Sequence, residues 1–394
     1  MFCMIQSVAI FRCNKYELKL IVNTLVSSIK SINFDTSSLR GKTVLLKPNM
    51  LGAYPPKMGI TTHPLFVEAV IILFKEYGCK VWLGDSPNGI FPIDLVWERT
   101  GIREICKRHN VTEKVFEREG SVVKNGLHIA KPLVEVDLVV NLPKFKTHGL
   151  TILTLATKNL YGCIPGLVKT SYHRKYRGNE RFAEMLVRIA GTVSPKLTLI
   201  DGIVGMDGNG PSAGRLIKLG LIIAGTDVFH TDAVCSSLVG LNPLNLDTLV
   251  AAKKLNLWNE NDETIVTGIN PHENIIKDFN LPSTYTKGMR DWWISKFVIK
   301  RIWGGISIKP KVNQKKCKRC GLCIKSCPVK AIEGKQSGSD EKLKEPPKII
   351  TKKCIECYCC HEICPYKAID LNQSLFIKIG RMLGERRIKK INNI

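Results

Sequence analysis

No run in this 394-residue sequence stays apolar for the roughly 18–20 positions that a membrane-spanning helix needs. The first residues, MFCMIQSVAIFRCNK, lack the basic n-region and the small-residue cleavage site of a secretory signal, and they read as a first strand. Neither the G-x-G-x-x-G of a dinucleotide fold nor the G-x-x-x-x-G-K-[ST] of a P-loop occurs, so no flavin or nicotinamide fingerprint is present. Acidic residues are scarce: 34 Asp and Glu stand against 59 Lys and Arg, a formal net charge of +25. That excess is uneven. Residues 281–394 hold 26 Lys and Arg and 9 Asp and Glu, or +17, and the first 280 residues hold the remaining +8. Such a basic C-terminal third points to an acidic partner or an anionic surface. No nucleic-acid motif accompanies the charge, which argues against DNA or RNA as the partner.

Cysteine, by contrast, is abundant. Nine of the fifteen fall between Cys317 and Cys364, and the other six (Cys3, Cys13, Cys79, Cys106, Cys163, Cys235) are scattered. Without a signal peptide, a disulfide framework is a poor explanation. The pattern is that of a reducing, cytoplasmic compartment in which clustered cysteines bind metal.

The first 280 residues alternate short apolar runs with helical patterns. Strands are expected at Gln6–Phe11, Thr43–Lys47, Lys80–Asp85, Val136–Leu142, Leu197–Asp201 and Leu219–Ala224. Helices are expected at Pro64–Tyr77, with Pro in its first turn and Gly78 after it, and at Asp227–Val239. Strands apolar throughout and separated by helices predict an α/β domain with a mainly parallel sheet over residues 1–280. Residues 281–311 form a basic aromatic linker. There Trp292, Trp293, Phe297, Ile302 and Trp303 interleave with Lys296, Lys300 and Arg301. It either docks the following module, lies on an anionic membrane surface, or meets an acidic redox partner. Residues 312–372 carry the cysteines and residues 373–394 form a basic tail.

The cysteine module repeats itself with an offset of 37 residues. Cys317, Cys320, Cys323 and Cys327 recur as Cys354, Cys357, Cys360 and Cys364; Pro328 recurs as Pro365, and Ala331-Ile332-Glu333 as Ala368-Ile369-Asp370. Between the halves the stretch EGKQSGSDEKLKEPPK is polar and reads as a solvated loop. Each half is C-x2-C-x2-C-x3-C-P. Paired CxxC motifs also serve structural zinc, but two matched four-cysteine runs, each closed by Cys-Pro, suit a pair of [4Fe–4S] cubanes better. The module resembles the bacterial-type ferredoxins, a small α+β ferredoxin-like two-cluster domain. In those, the fourth cysteine of each run ligates the other cluster. The resemblance implies that Cys317, Cys320, Cys323 and Cys364 hold one cluster, and that Cys354, Cys357, Cys360 and Cys327 hold the second. Tyr358 stands where the first half has Gly321. Cys359 is a spare thiol, since only Cys360 keeps the spacing.

Polar signals in the first domain gather where predicted strands end: Lys47-Pro48-Asn49, Asp85-Ser86-Pro87, Asn141 to His148, and the glycine-rich stretch from Asp201 to Pro211. Ligands of open α/β sheets bind beyond the carboxyl ends of strands. Lys144, Lys146 and His148, bunched in one loop, are candidates to bind or protonate an anionic group, with Asp85 or Asp201 assisting; Asp85 and Asp201 could equally serve as N-caps. Lys47 and Lys158 are either ligands or surface charges, and His63 either a ligand or a helix cap. Cys163 reads as a buried structural thiol. The segments KPN at 47–49, TTHP at 61–64, GDSP at 84–87, NLPKFKTH at 141–148, KNLYG at 158–162 and DGIVGMDGNGP at 201–211 together resemble the domain of unknown function 362 family. The resemblance covers roughly residues 3–270. Members often carry a two-cluster ferredoxin module behind that domain, which implies a redox setting but no substrate.

Two functions follow from these readings. One is an enzyme, a ferredoxin-type reductase passing electrons through two [4Fe–4S] clusters to an anionic small molecule held in the α/β domain. The other is a non-enzymatic electron carrier or assembly factor whose α/β domain docks a redox partner. A deep polar pocket formed by the 47–49, 61–63, 144–148 and 158–162 segments and facing the clusters favours the first. Cytoplasmic residence, with peripheral membrane contact open, fits both.

Overall fold

A computed structural model describes residues 6–285, 308–337 and 340–371. The aromatic stripe of the linker and the basic tail lie outside these residues.

The α/β domain is built on strands β1 (Gln6–Arg12), β2 (Thr43–Pro48), β3 (Lys80–Asp85) and β4 (Thr112–Val115), then a small hairpin of β5 (Ser121–Lys124) and β6 (Leu127–Ala130). After these come β7 (Leu138–Leu142), β8 (Lys144–His148), β9 (Ile152–Thr154), β10 (Leu197–Asp207), β11 (Arg215–Gly225) and β12 (Thr264–Gly268). The central sheet runs β12-β1-β11-β10-β7-β2-β3-β4, with β8 paired to β10 and β9 to β8. Pairings among β10, β7, β2, β3 and β4 are parallel, as are β12 with β1 and β8 with β10. Antiparallel β11 interrupts this between β1 and β10, and β9 lies antiparallel on β8.

The inner strands are apolar on both faces, and alternate residues enter two separate cores. Val8, Leu45, Val139, Ile200 and Ile223 join one core with the helices Asn179–Val193 and Val228–Leu238. Ala9, Val44, Leu46, Val140, Leu199 and Ile222 join the other with the helices Leu18–Ser31 and Pro64–Glu76. The result is a three-layer sandwich. At about 1.5–3 kcal/mol for each fully buried Val, Leu or Ile, it fixes the strand ends on which the polar segments sit.

Six predicted strands and both predicted helices stand within a few residues of the expected places. The 144–148 segment is a strand, not a loop, because β8 pairs with β10 at Lys144↔Asp201 and Lys146↔Met206. The glycine-rich stretch is likewise strand as far as Asp207. Gly202 and Gly205 sit where a Cβ would come within 2.9 Å of a backbone carbonyl or nearer, so there glycine serves close strand approach.

The cysteine module has an internal two-fold. Its strands are β13 (Pro310–Val312), β14 (Ile332–Glu333), β15 (Gln336–Ser337), β16 (Asp340–Leu343), β17 (Lys348–Ile349) and β18 (Ile369–Leu371). β13 pairs with β18 and β14 with β17, so each half completes the ladder of the other. The left-handed residues repeat too: Arg319 and Glu356 at φ 60° and 58°, Gly321 and Tyr358 at 72° and 59°, Lys330 and Lys367 at 50°. The polar insertion between the halves is a short β15–β16 hairpin with Leu343 buried, rather than a plain solvated loop.

Candidate functional site at the junction of the two domains

In the module, eight thiols form two groups. Cys317, Cys320, Cys323 and Cys364 line one void, and Cys327, Cys354, Cys357 and Cys360 line the other. Among the described residues, no three His, Cys, Asp or Glu side chains gather tightly enough for a single-ion site; the thiols surround voids instead. Backbone amides point at several of the sulfurs: Ala331 N to Cys327 Sγ at 3.1 Å, Ala368 N to Cys364 Sγ at 3.2 Å, and Arg319 N to Cys317 Sγ at 3.4 Å. Four thiols, amide donors to sulfur and apolar walls of Ile, Val and Pro are the donor set and lining that an iron–sulfur cubane takes. Cys359 does not face either void. It opens on a larger cavity next door.

That cavity, of about 200 Å³, lies between the α/β domain and the module. The strand-end segments supply Lys47, Asn49, Asp85, Lys146, His148, Lys158 and Asn159; the helix Leu167–Lys175 supplies Lys169 and His173; the module supplies Ser326, Pro328, Cys359 and Glu362. Lys47 Nζ pairs with Asp85 Oδ1 at 2.8 Å, both side chains fully enclosed. Gly162 makes room for them, since a Cβ there would stand 2.1 Å from Asp85 Oδ1 and 2.7 Å from Lys47 Nζ. Lys146 Nζ reaches only neutral acceptors, Asn49 Oδ1 at 3.0 Å and the Ile60 carbonyl. Burial, aided by the neighbouring Lys158 charge, brings its pKa down to about 7. Lys169 donates to the Ser86 hydroxyl at 2.6 Å and to the Pro87 carbonyl at 2.9 Å, and burial lowers it to about 8. Among the described residues Lys158 Nζ has no hydrogen-bond acceptor; it lies over the face of Tyr161 at 4.9 Å, within electrostatic reach of Glu362 and Lys146. Burial lowers its pKa as well.

His148 accepts from the Leu150 amide at its Nδ1 (3.0 Å), so its proton sits on Nε2, which stands 3.0 Å from Glu362 Oε1. Burial disfavours the Glu362 carboxylate, but the hydrogen bond from His148 and the Lys158 charge outweigh it and hold the pKa at about 2. Burial lowers His173 to about 4, leaving it neutral. Among the described residues, two buried polar atoms on the cavity wall lack a hydrogen-bond partner: Thr154 Oγ1 and His173 Nδ1. Buried polar groups are rarely left so, and their convergence marks a place for a bound polar molecule.

The structure divides the sequence candidates. Lys146, His148 and Asp85 meet in the cavity, with Lys47 and Lys158. Lys144 does not join them: its Nζ is 2.7 Å from Asp201 Oδ2 and 2.6 Å from the Tyr16 hydroxyl. Asp201 is thereby occupied, and it also accepts from the His63 amide at 2.9 Å. His63 caps the helix Pro64–Glu76, its Nδ1 accepting from Leu65 N, and its ring stacks on Tyr16 at 3.7 Å. Cys163 is buried. Sequence reading missed Lys169, His173 and Glu362. The first two are four residues apart on one helix face, and Glu362 is an acid inside a basic module; those were the available signals.

Residues 316–368 match the 4Fe-4S dicluster domain, which gives the chain an iron–sulfur electron-transfer role. Residues 44–237 match the Domain of unknown function (DUF362). The thylakoid-associated protein sll1697 of Synechocystis sp. is 31% identical over 292 residues, covering 71% of this chain and 88% of that one. The chain belongs to the domain of unknown function 362 family. Among solved structures, the lactate racemase apoprotein of Thermoanaerobacterium thermosaccharolyticum aligns with a TM-score of 0.39 at 12% identity, over 60% of this chain and 57% of that one. No helix among the described residues is long and apolar enough to cross a membrane.

Proposed function

We propose that the protein is an iron–sulfur reductase that delivers electrons to a small anionic substrate held in the junction cavity. Cys317, Cys320, Cys323 and Cys364 would hold one [4Fe–4S] cluster, and Cys327, Cys354, Cys357 and Cys360 a second. When bound, such clusters supply electrons one at a time. The observation that carries the reading is the cavity itself. Its far wall, Pro328 and Cys359, belongs to the segments that bear Cys327, Cys357 and Cys360, and its near wall offers Lys146, Lys158 and Lys169.

The residues divide the work. Lys158, without an acceptor of its own, binds an anionic group. Lys146, titrating near neutral pH, binds in its charged form and can release a proton at Nζ to a reduced product. His148 is held in one tautomer by the Leu150 amide, and Glu362 fixes its ring. The Lys47–Asp85 pair is a rigid floor. Burial keeps water out and strengthens each of these interactions.

The test uses the iron-loaded full chain, chemically reduced without oxygen and mixed with a panel of small oxidised anions: 2-oxo acids, enoates, and oxyanions of nitrogen and sulfur. The expected result is that one class reoxidises the protein, and that Lys158→Ala and Lys146→Met slow this at least tenfold with iron content unchanged. Variants as fast as the parent would overturn the reading. If the panel does nothing while a protein acceptor is reduced equally by parent and variants, the chain is a carrier.

A further inference from the structure

The two halves of the module are alike in backbone and unlike in surroundings. Tyr358 and Gly321 are equivalent positions, 37 residues apart, and both adopt the left-handed conformation. Tyr358 is buried in the α/β core: its ring lies 3.6 Å from where a Cβ on Gly149 would be, and its hydroxyl donates to the Ile308 carbonyl at 3.0 Å. Among the described residues nothing stands within 4 Å of the corresponding Cβ position at Gly321. The loop carrying Cys354 and Cys357 is therefore pressed against the α/β domain beside the cavity, whereas the loop carrying Cys317 and Cys320 is bare at its tip.

Charge follows the same division. Lys315, Lys316, Lys318 and Arg319 surround the bare tip and are all exposed. Arg319 donates to the Lys344 carbonyl, and none of the four has a carboxylate partner among the described residues. The equivalent stretch of the second half reads Lys352, Lys353, Ile355 and Glu356. There Lys353 stands 3.8 Å from Glu333, and Glu356 is paired with Lys309 at 2.9 Å. Among the described residues, Glu345, just beyond the segment bonded to Arg319, is exposed, and Asp370 holds Asn313.

We propose that Lys315, Lys316, Lys318 and Arg319, around the open Gly321, form the docking face for an acidic one-electron carrier protein. The inference rests on the reading that electrons leave at the cavity, because it makes the thiol set farther from the cavity the place where they arrive. Each encounter passes one electron: the carrier is oxidised by one, the centre held by Cys317, Cys320, Cys323 and Cys364 is reduced by one, and no bond or proton changes. The missing side chain at Gly321 shortens the approach, and tunnelling falls steeply with distance. Four unpaired cations steer an anionic partner, an effect that fades as salt shortens the Debye length below about 10 Å at 0.1 M and above.

The experiment measures binding and reduction of the iron-loaded full chain with a small, acidic plant-type [2Fe–2S] ferredoxin as the probe. Lys315→Glu with Lys316→Glu should weaken binding and slow cluster reduction at low salt at least tenfold, and flatten the salt dependence. The pseudo-symmetric control, Lys352→Glu with Lys353→Glu, should change both less than threefold. Gly321→Tyr, which copies the protein's own second half, should slow reduction while binding holds. Reduction by dithionite should be the same in all, which shows that the clusters are intact. Equal effects from the two charge-reversed pairs, or an unchanged salt slope, would sink the proposal. So would capture of the face by anionic-lipid vesicles with no response to ferredoxin. The cavity reading is tested by Lys158→Ala, which leaves this face untouched, so the two ideas fail separately.

Discussion

His148 of the α/β domain and Glu362 of the cysteine module meet at 3.0 Å across the junction. Glu362 lies between Cys360 and Cys364, so the short helix Cys359–Ile363 and its cap carry two of the thiols that line the voids and a wall of the cavity. Tyr54 reinforces the contact, its hydroxyl lying 3.3 Å from the Ile363 carbonyl. Removing the carboxylate leaves His148 Nε2–H facing nothing. Glu362→Ala should therefore lower stability by roughly 1–3 kcal/mol and speed proteolysis between the domains, as followed by denaturant unfolding and limited digestion.

Lys158 predicts the reverse balance. An ammonium with no acceptor in a cavity is an unfavourable native feature kept for function. Lys158→Ala should leave thermal stability unchanged or raise Tm by about 1–3 °C, while anion binding falls at least tenfold. Calorimetry and differential scanning on the same preparations would separate the two.

The depressed Lys146 gives a pH signature. Its pKa is about 7 in the anion-free fold, and an anion beside Nζ favours the charged form and raises it. Binding therefore takes up a proton once the pH exceeds about 7. Affinity should be flat below that and fall by up to about tenfold per pH unit above it. Calorimetry in buffers of different ionisation enthalpy would detect the proton. In Lys146→Met the uptake should vanish.

Gly162 tests the floor of the cavity. Gly162→Ala would drive a methyl group into the Lys47–Asp85 pair, which is fully buried. Breaking such a pair costs about 3–5 kcal/mol, and urea unfolding should show a loss of that order. Gly78→Ala, at a left-handed helix end near the surface, offers a smaller comparison.

Iron content separates the cysteines. The parent should carry about eight irons, and Cys360→Ser about four or fewer. Cys359→Ser should keep the full complement, because Cys359 faces the cavity and Cys360 the thiol group. A zinc-loaded parent in metal analysis after anaerobic purification would overturn the cluster assignment.

Much of this was legible in the sequence because local rules govern it. Strand ends with lysines, asparagines and aspartates marked the rim of the sheet, and the 37-residue repeat marked the module. What escaped depended on partners distant in sequence. Lys144 and Lys146 look equivalent, two residues apart, yet β10 places Asp201 beside the first and leaves the second to neutral acceptors. The glycines after Asp201 resemble a flexible loop, but they permit close strand packing. Lys169 and His173 became site residues only because their helix is laid over Ser86 and Tyr161. Glu362 closes a cavity whose α/β walls, from Lys47 to His173, come far earlier in the chain.

That last arrangement makes the cavity depend on the fold of the cysteine module. Small metal-binding modules owe much of their folding free energy to the metal, and Ser326, Pro328, Cys359 and Glu362 reach the cavity only from such a module. A chain made without iron would present a pocket missing one wall. On the function proposed above, iron loading would then complete the substrate cavity as well as the electron path, and limited proteolysis of the iron-free chain would show the junction opened.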